Sequence, residues 1–352
     1  MKKNILFVAL AAGILLSSCS DIDRQQTGLE SEAVTVNFSL GNATKAVGGI
    51  NETAINTAYV FAFDGNRIDG SVAVAGSSGS IKVTPGNRRF IAVVNPNSEF
   101  NFTAVSTPAS ILNLVSQLGS EGLSDMVMIG DKDELITENT NVITIPVTRL
   151  VSKISVNSLK FQLGGALAGK SVSNVEVYLK NYPISQSYSG VCGTSYASGL
   201  FAGNQASFEV YDLLGTMADG SSDASGHHFY CYGRETSAAV SGSGAIRLCV
   251  RAAIDGHTYY WSLPVNNGNV WNSSAFVAGD SHYGVKRNHS YEYDITITRA
   301  GIPDDGNDPD PTDPGDIGGD DLEDDQDLTT SDLNFILRVV DFIEVAEQTV
   351  TF

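Results

Sequence analysis

The chain has 352 residues and a formal net charge of −19, with 17% of its residues charged, 35 Gly and 4 Cys. So acidic a balance excludes a nucleic-acid partner, because phosphate binding requires clustered Lys and Arg. The length leaves room for two domains of ordinary size.

At the amino end, Lys2 and Lys3 precede an apolar stretch from Ile5 to Leu16. That stretch is shorter than the roughly 20 residues of a bilayer span and has the length of a secretory leader. It ends in Leu16-Ser17-Ser18-Cys19, a lipobox-like tetrapeptide, which predicts a lipoprotein signal peptide over 1–19 and acylation of the Cys19 thiol. Outer-membrane lipid is then the first expected partner, each buried CH2 contributing about 0.8 kcal/mol. The polar, acidic Ser20-Asp21-Ile22-Asp23 follows. Three further cysteines, Cys192, Cys231 and Cys249, allow one disulfide at most, and no pair has zinc-site spacing.

Strand patterns dominate the body of the chain. Val34, Val36, Phe38 and Leu40 alternate with polar residues, as on a half-buried strand. Strands are expected at 58–63, 80–83, 89–94 and 142–147, and again at 153–163, 172–179, 206–211, 245–254, 258–263 and 290–298. Asp64-Gly65-Asn66, Pro85-Gly86-Asn87 and Asn266-Asn267-Gly268-Asn269 supply turns between them. Many short strands with Gly-rich turns predict an all-β chain of sandwiches. One helix is expected from Thr107, with Pro108 in its first turn, Gly119 past its end and an apolar face of Ile111, Leu112, Leu114, Val115 and Leu118. One strand set ends and another begins near 147–150, which predicts sandwiches over 46–148 and 149–301.

Past Gly301 the composition shifts. Pro303 to Asp327 holds twelve Asp or Glu and no Lys or Arg, a self-repelling tether that predicts a linker over 302–330. Its Asp spacing does not match a calcium-binding loop with a closing Glu. Apolar, β-prone sequence then returns over 331–352. Leu333, Phe335, Leu337 and Val339 alternate on one face, and Phe342, Ile343, Val345, Val350 and Phe352 continue the apolar supply. Such a segment either folds back as an edge strand of its own domain or completes the sheet of another molecule.

Three patterns suggest chemistry and resolve into structure. Gly164-Gly165-Ala166-Leu167-Ala168-Gly169-Lys170-Ser171 matches a phosphate loop, but strand-like sequence follows where a helix is required, so a Gly-rich hairpin is expected. His227, His228 and Cys231 lack a fourth ligand, and a solvated loop is expected between Gly226 and Gly233. Tyr259, Tyr260, Trp261 and Trp271 could form a sugar platform, although alternating aromatics in a sandwich serve the core more often. No residue stands out as catalytic, and no cofactor or metal is expected.

The order of several motifs resembles the fimbrillins of Bacteroidales, subunits of type V pili. They are Cys19, the strand Val34 to Leu40, Thr44-Lys45-Ala46, and Thr148-Arg149-Leu150-Val151-Ser152-Lys153-Ile154. Lys286-Arg287-Asn288-His289-Ser290-Tyr291 and the tail from Val339 to Phe352 complete the set. The resemblance implies two tandem transthyretin-like β-sandwiches with one short helix in the first, and a C-terminal donor strand. It implies export as a surface lipoprotein and a trypsin-like surface protease that cuts between Lys45 and Ala46, within a propeptide over 20–45. Lys45 stands where the family often has Arg. The strand bearing Val34, Val36, Phe38 and Leu40 would leave, and the segment from Leu333 to Phe352 would fill another subunit's groove. Implied partners are further copies of the chain and other fimbrial subunits, and the implied place is the cell surface, in a fimbrium. The alternative is a monomeric surface-anchored lipoprotein that binds glycans or acts as an adhesive module.

Overall fold

The computed structural model describes residues 32–41, 52–98, 100–197, 211–240, 244–267, 270–272, 275–277, 282–298, 302–303 and 333–341. Seven strands build the first half: β1 (Val34–Gly41), β2 (Thr57–Asp64), β3 (Arg67–Ala75), β4 (Ser78–Val83), β5 (Gly86–Val94), β6 (Met128–Ile136) and β7 (Val142–Arg149). They form one sheet in the order β3-β2-β5-β6-β7-β1-β4. The sheet rolls until its end strands meet: a Cβ on Gly70 of β3 would stand 2.2 Å from the Lys82 carbonyl oxygen of β4. Inside the roll, Val36, Phe38 and Leu40 pack with Val60, Ile81, Phe90, Val94 and Ile145.

Strands β2 and β5 are buried on both faces, which is why they read as nearly continuous apolar runs. Their outward Phe61, Phe63, Ile91 and Val93 join a second core with Ile111, Leu118 and the strands of the other half. Phe100 and Phe102 cover this face, with Phe102 5.1 Å from Phe61 between ring centroids.

The helix is shorter than the sequence predicts. It spans Pro108–Leu112, with Thr107 as its cap: Ser110 N donates to Thr107 Oγ1 at 3.2 Å, and Ser110 Oγ accepts from Thr107 N at 3.2 Å. Residues 115–117 instead pair antiparallel with Ser185–Ser187 of the second half. Val115 consequently ends 45% exposed, while Ile111 and Leu118 remain buried as expected.

The second half contains β8 (Val151–Phe161), β9 (Val172–Lys180), β10 (Tyr211–Met217), β11 (His227–Tyr232), β12 (Arg247–Ile254), β13 (His257–Pro264), β14 (His289–Ile297) and β15 (Leu333–Asp341). One sheet runs β10-β9-β12-β13 and ends on Ile302–Pro303; the other places β8 between β11 and β14, with β15 beyond β14. The sheets face each other across an apolar core, where the Phe161 and Trp261 rings meet edge-on at 5.8 Å.

Both halves share a topological signature. The first strand of each lies parallel to a late one, β1 beside β7 and β8 beside β14. Only Leu150 separates β7 from β8.

Residues 227–231 are not the solvated loop that the sequence predicts. They lie in β11, paired with β8 from His227 opposite Val156 to Tyr232 opposite Val151. His227 Nε2 is 2.9 Å from Asp223 Oδ2, His228 Nδ1 is 3.0 Å from Ser155 Oγ, and burial pushes the Cys231 thiol pKa up.

Candidate functional site: the first strand and the junction behind it

The described residues of the predicted site fall on β1 and β15. Cys19, Lys45, Ala46, Phe342, Val345, Val350 and Phe352 lie outside the described residues, as does the acidic stretch 304–332.

β1 is an interior strand, not an edge. It pairs antiparallel with β4, setting Val34 opposite Val83, Val36 opposite Ile81 and Phe38 opposite Gly79. On its other side it pairs parallel with β7, setting Phe38 beside Ile143 and Leu40 beside Ile145. Val36, Phe38 and Leu40 are at most 6% exposed. Burial of each stabilises the sheet by roughly 1.5–3 kcal/mol. Removing β1 therefore opens two ladder edges and an apolar trough together, the liability that a strand edge presents.

A polar clip beside that trough fixes β3 to the turn before β5. Asp69, on β3, accepts from Thr84 N at 2.8 Å, Thr84 Oγ1 at 2.9 Å and Arg88 Nε at 2.7 Å. Burial alone would raise the Asp69 pKa, but the bonds from Arg88 and Thr84 outweigh it and hold the carboxyl below its usual range. The clip retains β4 through contacts that do not involve β1.

β15 occupies the free edge of β14 and pairs antiparallel with it over nine positions, from Leu333 opposite Ile297 to Asp341 opposite His289. Of the two readings open at the sequence level, this arrangement is the folded-back edge strand. Among the described residues, β15 has one neighbour, whereas β1 has two.

Past the end of β7, the two halves meet around Glu52. Arg149, which ends β7, donates from Nε and Nη2 to the Glu52 carbonyl at 3.0 and 2.9 Å. Lys153 Nζ lies 2.8 Å from Glu52 Oε1, and the Tyr230 hydroxyl donates to the same oxygen. The Arg149 amide donates to Asn288 Oδ1 at 3.2 Å. Asn288 takes a positive φ of 60°, which Asn tolerates better than most residues. Burial drives the Arg149 pKa down to about 10, against the pull of Glu52. The motifs at 148–154 and 286–291 thus lie together, around a residue that the sequence did not flag.

A second buried carboxylate sits nearby. Glu121 Oε1 accepts from Ser116 Oγ at 2.8 Å and from the Tyr232 hydroxyl, and Oε2 accepts from Val127 N at 3.2 Å. Burial raises its pKa to about 7 despite these donors.

Gly164–Ser171 is not the hairpin that the sequence predicts: it crosses from β8 in one sheet to β9 in the other through a short turn at Gly165–Leu167, and two amides of the region, Leu163 N and Gly169 N, donate to Asp219 at 2.7 and 2.8 Å. Lys170 Nζ pairs with Asp255 Oδ2 at 2.8 Å. Of the four aromatics that could form a platform, Trp261 is 1% exposed, Tyr259 and Tyr260 are half-buried, and the side chain of Trp271 lies outside what the structure describes. Among the described residues, no group of three or more His, Cys, Asp or Glu is placed to hold a metal ion.

No protein-family model matches the sequence, and no curated protein matches it. Solved structures do. A fimbrilin (FimA) from Porphyromonas gingivalis superposes with a TM-score of 0.59 at 16% identity, covering 89% of this chain and 98% of that one. A protein from Parabacteroides distasonis, assigned to cell adhesion, gives 0.57 at 18% identity, covering 90% and 99%. The tip fimbrial protein Mfa3 from P. gingivalis, with C-terminal truncation, gives 0.50 at 13%, covering 88% and 99%. At these identities the likeness establishes the fold: an all-β architecture shared with fimbrilins over most of the chain.

Proposed function

We propose that this chain is a structural subunit of a surface fimbria that supports adhesion, exported as a lipoprotein and polymerised by exchange of β1 for another subunit's C-terminal strand. The observation that carries the reading is the position of β1. An interior strand holding three buried apolar side chains is joined to β2 through residues 42–56, which include Lys45-Ala46. Cutting there leaves β1 attached by non-covalent contacts alone. Glu52 is held by Arg149, Lys153 and Tyr230, so a new amino end at Ala46 would lie six residues from a fixed point.

β15 supplies the exchange partner. In a single subunit it is stored on the β14 edge; donated, it satisfies the exposed ladder groups of a neighbour and inserts alternate side chains. A head-to-tail contact of this kind does not close on itself and produces a filament. The fold shared with fimbrilins supports the same reading. The chain is then a shaft subunit, processed by a trypsin-like surface protease, with no catalytic residues of its own.

The storage of β15 on its own sheet also fits a second reading, a monomeric surface lipoprotein that binds a glycan or another adhesive target. Mass spectrometry of the amino terminus in material sheared from native cells separates the two. Ala46 at the start supports the polymerising subunit. Lipidated Cys19 on every molecule overturns the shaft assignment.

A further inference from the structure

The two strands that would exchange carry nearly the same pentapeptide. Val36-Asn37-Phe38-Ser39-Leu40 on β1 corresponds to Leu333-Asn334-Phe335-Ile336-Leu337 on β15, with Asn, Phe and Leu at matching places. In β1 the Phe has a specific seat. Phe38 lies opposite Gly79, and a Cβ on Gly79 would stand 2.9 Å from Phe38 Cζ and 2.7 Å from Val74 Cγ1. A glycine facing an aromatic ring across a strand pair gives the ring a floor that a side chain would occupy. The flanking places are less demanding: Val36 faces Ile81, and Leu40 lies beside Ile145.

The polar positions fix direction. Asn37 is exposed and Ser39 half-buried, 3.2 Å from Thr144 Oγ1. Aligned in the sense of β1, Asn334 takes the exposed place and Ile336 the half-buried one. Reversed, the apolar Ile336 would face solvent and the amide of Asn334 would be partly covered.

Building on the exchange reading, we infer that the groove accepts a second copy's β15 in one register. Phe335 replaces Phe38 against Gly79, Leu333 replaces Val36, Leu337 replaces Leu40, and the strand runs parallel to β7. Gly79 is the specificity-determining residue, and the ring at 335 is what it reads.

Disulfide trapping tests the register in the full chain. Asn37 pairs with Ser80, so Asn334 of the incoming strand should stand opposite Ser80. Chains carrying S80C with N334C, and Cys192→Ser to silence a background thiol, are cut after Lys45 and run on a non-reducing gel. A disulfide-linked ladder is expected with N334C and its loss with I336C. Exchanging the ring and its neighbour, L333F/F335L, preserves composition and should move the link two residues, from N334C to D332C.

Polymers that form but link equally through 334 and 336, or that keep the 334 link after the ring has moved, overturn the register while leaving strand exchange intact. Complete cutting with no polymer from any chain, cysteine-bearing or not, overturns the exchange reading itself and the register with it.

Discussion

Lys153 Nζ lies 2.8 Å from Glu52 Oε1, and both side chains are at most 4% exposed. The pair connects β8 to a residue five positions before the start of β2. Breaking a buried pair by removing one partner leaves an uncompensated charge and costs roughly 3–5 kcal/mol. K153M should destabilise the chain by that order in a denaturant titration. E52Q/K153M should recover part of the loss, because neither charge is then stranded. In the cut protein, K153M should also release the amino end, read as faster hydrogen exchange over 52–57. Unchanged stability in K153M would show that the junction is held elsewhere.

Glu121 gives the junction a pH dependence of definite sign. Its folded pKa of about 7 exceeds the ordinary 4.5, so the folded state binds the proton more tightly. The favourable contribution is complete below the unfolded value and is lost as pH rises through about 7. The difference amounts to on the order of 3 kcal/mol. Stability measured relative to E121Q should rise as pH falls from 8 to 5. A wild-type minus E121Q difference that is flat across that window would refute the assignment.

Asp69 acts in the opposite sense. Its folded pKa lies below the usual value of 3.8, so its stabilisation is present above that value and is lost as pH falls through the folded pKa. D69N leaves Arg88 Nε and the Thr84 amide with a weaker acceptor and should cost about 1–3 kcal/mol. The loss should appear at neutral pH in urea and shrink below pH 3. A D69N penalty that persists undiminished at pH 2 would show that shape, not charge, holds the clip.

Local pattern made some strands legible and hid others. β1, β5, β7 and β9 carry apolar residues either in alternation or in unbroken runs, so their positions could be read within a few residues. β3 and β6 could not: Gly70 interrupts one, and Asp131, Lys132, Asp133 and Glu134 fill the outer part of the other. Their strand character comes from pairing with β2 and β5. β11 looked like a loop because His227 and His228 follow Gly226, yet β8 lies alongside it in the fold. Glu52 was the least readable. Its partners Arg149, Lys153 and Tyr230 are 97, 101 and 178 residues away in sequence, beyond any periodicity. Gly79 was hidden as well, because the strand expected from the pattern begins at residue 80 and only the fold extends it back to Ser78.

Under the proposed exchange of β1 for a second copy's β15, Phe38 distinguishes the two states. In the uncut chain its ring is 2% exposed, set between Gly79 and Ile143. F38A should lower the stability of the uncut chain by about 3–5 kcal/mol, the usual cost of truncating a buried Phe. In the proposed exchange residue 38 leaves the subunit with β1, so polymers from F38A and from the unaltered chain should dissociate at the same temperature. F38A should also exchange faster, because the strand to be displaced is held less tightly. F335A should reverse the pattern, leaving β1 in place and weakening the polymer. Unfolding curves of the uncut chains, set beside heat-dissociation curves of the polymers, measure both halves of the comparison. An F38A defect that persists undiminished in the polymer would mean that β1 never leaves.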